Sequence, residues 1–213
     1  FISAIFTLSS HHPFSLPKKI RPEDQNLYSP FENTIRYADL SLRMFFETAK
    51  QTQWFANTVF IFTADHTHPE PQSEFYRNEY GMYKVPLAFY SPLFDSVFHS
   101  NETAQQTDIM PTVLSLVNYK ESFLAFGNNL FAPDGTRWHI SFINQMIQLQ
   151  DGNYLLQFDG SKTTAFFDLE TDSLLQHNLV EKNHPAIPQF ETKLRAILQQ
   201  YNNRMISNKL TTR

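Results

Sequence analysis

Apolar and polar positions follow two rhythms along this chain, and each rhythm predicts a different kind of element. Residues 1–8, Phe-Ile-Ser-Ala-Ile-Phe-Thr-Leu, read as a buried strand, and residues 9–22, carrying Pro13, Pro17 and Pro22, read as a loop. Residues 32–51 place Ile35, Ala38, Leu42, Phe45, Phe46 and Ala49 near the helical period, which predicts an amphipathic helix. Residues 59–63, Val-Phe-Ile-Phe-Thr, are a short β-branched and aromatic run between polar neighbours, the pattern of a fully buried parallel strand. Residues 64–79 are polar and contain Pro, so they read as a loop. Residues 85–90 predict a third strand, with Pro86 near its start, where a missing N–H does least harm. Residues 107–117 predict a second helix, capped by Thr107 or Asp108, with Pro111 in its first turn.

Strand, helix, strand, strand, helix is the order of a mostly parallel α/β sheet covered by helices. From about Trp138 the rhythm changes. Residues 138–149, 153–158 and 164–169 are strand-like, and Asp151-Gly152 and Asp159-Gly160-Ser161 supply turns between them, which predicts a C-terminal antiparallel meander. A terminal helix over residues 188–201 puts Phe190, Leu194, Ile197 and Leu198 on one face. The chain therefore divides into an α/β part, residues 1–137, and the meander with its helix, residues 138–213, packed on the same domain.

Composition narrows the picture. With 213 residues, 41% hydrophobic and 18% charged, the chain suits a folded domain with a sizeable core, and 21 Phe make that core aromatic. The net charge of −4 and the scattered basic residues argue against a nucleic-acid partner. The absence of Cys excludes disulfides, Cys metal sites and a Cys nucleophile. No apolar run approaches the ~18 residues of a membrane span. Opening in a strand-like run without an initiator Met, the sequence reads as part of a longer protein. A half sheet exposes an apolar edge, which predicts self-association or pairing with the missing N-terminal half.

The strongest chemical signal is Thr63-Ala64-Asp65-His66-Thr67-His68, directly after the buried strand. Ligands of open α/β sheets bind beyond the carboxyl ends of the strands. A carboxylate and an imidazole there can both ligate a divalent cation, and mixed O/N ligation suits Zn²⁺ or Mn²⁺ better than Ca²⁺. The same residues also read as a surface Asp with neighbouring histidines at a loop start. The second signal is Ser9-Ser10-His11-His12-Pro13-Phe14. An imidazole on the same rim can bind a phosphate or sulfate oxygen or move a proton. Alone, it reads as a loop His at a strand end.

Together these residues resemble the alkaline phosphatase and sulfatase superfamily, in its lipoteichoic acid synthase-like branch. Ala64-Asp65-His66 looks like the family's metal-binding Asp-His, and residues 7–14 resemble the segment whose His contacts the substrate head group, with His11 at the matching position. Tyr37-Ala38-Asp39, the Thr107-Asp108-Ile109-Met110-Pro111 helix start, and Phe167-Asp168-Leu169 through Asn178-Leu179 are similar to further family segments in the same order.

The resemblance implies an alkaline phosphatase-like fold and a divalent metal, Mn or Zn with Mg or Ca as alternatives, held by Asp65 and His66. It implies a catalytic role for His11 in orienting the head group or assisting proton transfer, and substrate contacts by His11, His12 and His68. His68 also reads as simply exposed. The family's Thr nucleophile and acidic metal ligand lie upstream of the segment matching Phe1, so this stretch alone is expected to lack complete chemistry. The implied activity is a phosphoglycerol-type transferase acting on a phosphate-linked lipid head group, outside the cytoplasm and anchored by upstream segments. The alternatives are a sulfatase or phosphodiesterase of the same superfamily, a phosphoethanolamine transferase, which usually carries cysteines, or a non-catalytic binding module.

Overall fold

Ser29 and Glu32 build a reciprocal cap in which Glu32 N–H donates to Ser29 Oγ (3.2 Å) and Ser29 N–H donates to Glu32 Oε2 (2.8 Å). With Pro30 in the first turn, this cap starts helix α1 (Pro30–Ala49) slightly ahead of the periodic residues that predict it. The protein is described here by a computed structural model covering residues 1–17, 28–68, 71–97, 99–133 and 137–212. The end of the loop predicted over residues 9–22 and Pro69-Glu70 of the loop predicted over residues 64–79 lie outside the described residues.

The chain divides into two compact units, Phe1–Phe60 with Tyr90–Ser96, and Ile61–Phe89 with Val97–Arg213. In the first, the anchor of α1 is Phe46, whose ring packs against Phe55, Phe60 and Tyr90 at centroid distances of 6.3, 4.9 and 5.5 Å. The predicted stripe is only partly used. Ala49 is 3% exposed, but Ile35, Leu42 and Phe45 are 48%, 41% and 39% exposed. Periodicity fixes that an apolar stripe exists, not what covers it. Residues 1–8 depart from the expected strand: they are irregular, and Phe1, Ile2, Ile5 and Phe6 are exposed. An apolar run becomes a strand only where another strand completes its hydrogen bonds, and none among the described residues pairs with it.

Strands β1 (Phe60–Thr63) and β2 (Leu87–Tyr90) form a two-stranded sheet. A larger parallel sheet covered by helices is not seen among the described residues. Helix α2 (Ile109–Leu116) follows a 3₁₀ turn at Gln106–Asp108. No described helix is long and apolar enough to cross a membrane.

The meander forms as the alternation predicts, with one more strand. β3 (Trp138–Ile143), β4 (Met146–Asp151), β5 (Tyr154–Phe158) and β6 (Thr163–Asp168) pair antiparallel in chain order. The run 138–149 is two strands because Asn144 and Gln145 turn it back at φ 50° and 64°, between the paired residues Ile143 and Met146. Leu149, Leu156, Phe158 and Phe166 on one sheet face pack with Phe190 and Leu194 of helix α3 (Ile187–Ile206). The other face carries Leu155, Ala165 and Phe167. It also carries Gln148, 1% exposed, whose amide donates to Glu79 O (2.9 Å) and Ser141 Oγ (3.2 Å) and accepts from Gln157 (3.0 Å). Register puts Ser141 opposite Gln148 and His139 opposite Gln150, so all four share this second face.

The segment after β6 covers that edge strand. Asn178 Oδ1 accepts from Phe166 N–H (3.1 Å), its amide donates to Thr164 O (3.0 Å), and Leu179 N–H donates to Phe166 O (2.8 Å). The Phe167-Asp168-Leu169 to Asn178-Leu179 pattern is therefore an edge-strand latch.

Candidate active site

The chain leaves β1 at Thr63 and bends at Asp65-His66, so these neighbours are freed from strand alternation. Asp65 Oδ1 accepts from the backbone N–H of His66 (3.0 Å), and Oδ2 stands 3.6 Å from His66 Nε2. His66 Nδ1 lies 2.7 Å from Thr67 O. A carbonyl oxygen only accepts, so Nδ1 carries the hydrogen and a neutral ring has its lone pair on Nε2. Two electron-pair donors thus face each other, an arrangement that becomes attractive only with a proton or a metal cation between them. Donors of one tetrahedral Zn²⁺, each bonded at about 2.0–2.2 Å, stand roughly 3.4 Å apart. The observed separation and the O/N donor chemistry therefore fit a divalent ion. They supply two ligands; among the described residues no group of three or more His, Cys, Asp or Glu is placed to hold a metal.

The pair opens onto a cleft of about 950 Å³, the size that takes a small ligand. Thr67 and His68 line it beside the pair, Arg77, Tyr83 and Lys84 come from the following loop, Glu102 to Thr107 from the approach to α2, and His139, Ser141 and Gln150 from the meander. His68, half-buried, is thus a wall residue rather than a fully exposed one. Arg77, Lys84 and Gln106 carry no signal in the sequence, and His139, in a weak local context, reads as a histidine without a functional role. They are scattered along the chain with no shared spacing, and tertiary packing alone brings them to one cavity.

His139 packs against the ring of Tyr83 with centroids 5.7 Å apart, and the Tyr83 hydroxyl donates to Phe142 O (2.9 Å). Burial drives the His139 imidazole down to about 4, and the nearby Lys84 charge acts in the same direction. Burial also raises the Tyr83 phenol. A histidine with a lowered folded pKa is neutral in the fold while the unfolded chain still takes up a proton. Its penalty is therefore absent above an ordinary pKa of about 6.5 and grows as pH falls toward the folded value, reaching on the order of 2–3 kcal/mol. Urea unfolding from pH 7.5 to pH 4.5 is expected to show wild type losing roughly that much more stability than His139→Leu; parallel profiles would contradict it.

His11 and His12 belong to the first unit, whereas Asp65, His66 and His68 belong to the second. Residues 8–14 fold into a turn in which His11 N–H donates to Leu8 O (3.2 Å) and Phe14 N–H donates to His11 O (2.9 Å). His11 Nδ1 lies 2.8 Å from His12 O, so its lone pair also falls on Nε2, on an exposed ring. His12 is exposed, its ring set edge-on to Phe14 at 5.7 Å.

The model of the Sulfatase family matches residues 1–119, the stretch that carries both the His11 turn and the Asp65-His66 bend. The chain belongs to the sulfatase family. The lipoteichoic acid synthase of Staphylococcus aureus (strain USA300) is 25% identical over 171 residues, spanning 73% of this chain and 25% of that protein. A protein in the alkaline phosphatase superfamily from Vibrio parahaemolyticus has the same fold, with a TM-score of 0.71 and 20% identity over 98% of this chain and 50% of that one. Ps i-CgsB superposes with a TM-score of 0.61 and 14% identity over 85% of this chain and 47% of that one. The sulfatase-family chain thus spans about a quarter of the lipoteichoic acid synthase and half of the Vibrio protein. Metal dependence is typical of this superfamily, in keeping with the donor chemistry of the Asp65-His66 pair.

Proposed function

We propose that this chain is the C-terminal half of the catalytic domain of a metal-dependent phosphoglycerol-type transferase, working on a phosphate-linked lipid head group outside the cytoplasm. In this reading residues 1–137 belong to the α/β catalytic domain, with β1 and β2 in its parallel sheet, and residues 138–213 pack on it. The observation that carries the reading is the facing of Asp65 Oδ2 and His66 Nε2 at 3.6 Å on the rim of the cleft. Asp65 and His66 hold a divalent ion, Mn²⁺ or Zn²⁺ by their mixed donors. When bound, such an ion lowers the pKa of a nucleophile and neutralises charge developing on ester oxygens. His11 presents its Nε2 to the head group, to orient it or accept a proton, and His12 and His68 contact the substrate. The nucleophile comes from a preceding part of the protein, and upstream segments anchor it to the membrane.

The family match over residues 1–119 favours a second reading, a sulfuric or phosphoric ester hydrolase. The two separate by product. The intact protein, given Mn²⁺ and vesicles containing phosphatidylglycerol, is expected to release diacylglycerol and to stop when the metal is chelated. Hydrolysis of an aryl sulfate or phosphodiester without diacylglycerol would move the assignment to the hydrolase. Inertness toward every ester would overturn both.

A further inference from the structure

We infer that Gln106 and Thr67 are positioning residues that clamp the two ends of the Asp65-His66 bend and hold its donor atoms face to face. The inference rests on the reading of that pair as metal ligands. Residues 64–68 carry no regular secondary structure, so their geometry depends on what their peptide groups bond. At one end the Gln106 amide donates to Ala64 O (2.6 Å) and reaches Asp65 O (3.4 Å). At the other, the Thr67 hydroxyl donates to Met82 O (2.9 Å), and Thr67 O accepts from the His66 ring (2.7 Å). Met82 O thus anchors the Thr67 side chain, and the carbonyl of the residue so held fixes the His66 tautomer and turns Nε2 toward Asp65. Outer partners of this kind orient metal ligands in many proteins.

Gln106 is itself exposed, so packing does not explain its orientation. Its backbone is what is held. Buried Asp108 accepts from Gln105 N–H (2.8 Å), and Gly127 presses against the same turn. A Cβ at Gly127 would stand 2.1 Å from Thr107 O, so only Gly permits this approach. The result is a rigid base with a polar arm reaching the candidate ligand loop 42 residues away in sequence.

The test uses the intact protein and Mn²⁺ or Zn²⁺ alone, titrated calorimetrically, with melting temperatures of the metal-free forms as control. Gln106→Leu and Thr67→Val are expected to bind the metal roughly tenfold more weakly with little change in melting temperature, and Thr67→Ser to bind like wild type. Wild-type affinity in both Gln106→Leu and Thr67→Val would overturn the inference while leaving the metal reading intact. Binding by wild type that Asp65→Ala does not weaken, or no binding at all, would overturn the metal reading and the inference with it.

Discussion

Asp65→Ala in the intact protein is expected to lower kcat by three orders of magnitude or more and to remove bound metal, leaving the fold in place. The side chain is 54% exposed and its only hydrogen bond to the rest of the described protein is to the adjacent His66 N–H, so stability has little to lose. Chemistry has far more. In the proposed role, one of the two metal donors of this chain disappears, and with it the stabilisation a Lewis acid gives to a charged transition state. His66→Ala is expected to act in the same direction, and the double variant to be hardly worse than either single one, because in the proposed role both residues serve one ion. Steady-state rates with metal content by mass spectrometry check this. A variant retaining both metal and turnover would remove Asp65 from the site.

The second large effect concerns folding. Asp108 is 2% exposed, and its carboxyl accepts from Gln105 N–H (2.8 Å) and Asn128 N–H (2.7 Å). Its carbonyl accepts from the buried Thr112 hydroxyl (2.6 Å), which in turn accepts from Leu130 N–H (2.9 Å). One side chain thus joins the turn before α2 to the segment at residues 126–130. Asp108→Ala leaves two backbone donors without partners, each worth about 1–3 kcal/mol, and a loss of about 3–5 kcal/mol is expected. In a domain of this size that lowers the melting temperature by roughly 10 °C. Asp108→Asn, which keeps one acceptor oxygen, should lose about half as much. Chemical denaturation of the three proteins reads this directly, and equal midpoints would show that water replaces the carboxyl.

The sequence made local features legible and tertiary ones not. The run ending at Thr63 is visible because it is an unbroken β-branched and aromatic stretch between polar neighbours, and the meander with α3 because its apolar positions recur at the strand and helix periods. The hairpin at Asn144-Gln145 hides in the run 138–149 because neither residue is Gly, although both take positive φ. The exposure of Ile35 and Leu42 could not be read, since an amphipathic pattern does not name its partner. At the site, Asp65, His66 and His68 stand out as a cluster in sequence and share one cleft, while Arg77, Lys84 and His139 reach it only through folding. The clamp by Gln106 had no local signal, because its partner carbonyls belong to a different loop.

The central claim is that Asp65 and His66 hold a catalytic divalent ion. Anomalous diffraction from crystals of the intact protein grown with Mn²⁺ or Zn²⁺ tests it most directly. A single strong peak is expected about 2.0–2.2 Å from both Asp65 Oδ2 and His66 Nε2. A peak bound elsewhere, with the Asp65-His66 bend unchanged and metal-free, would contradict it.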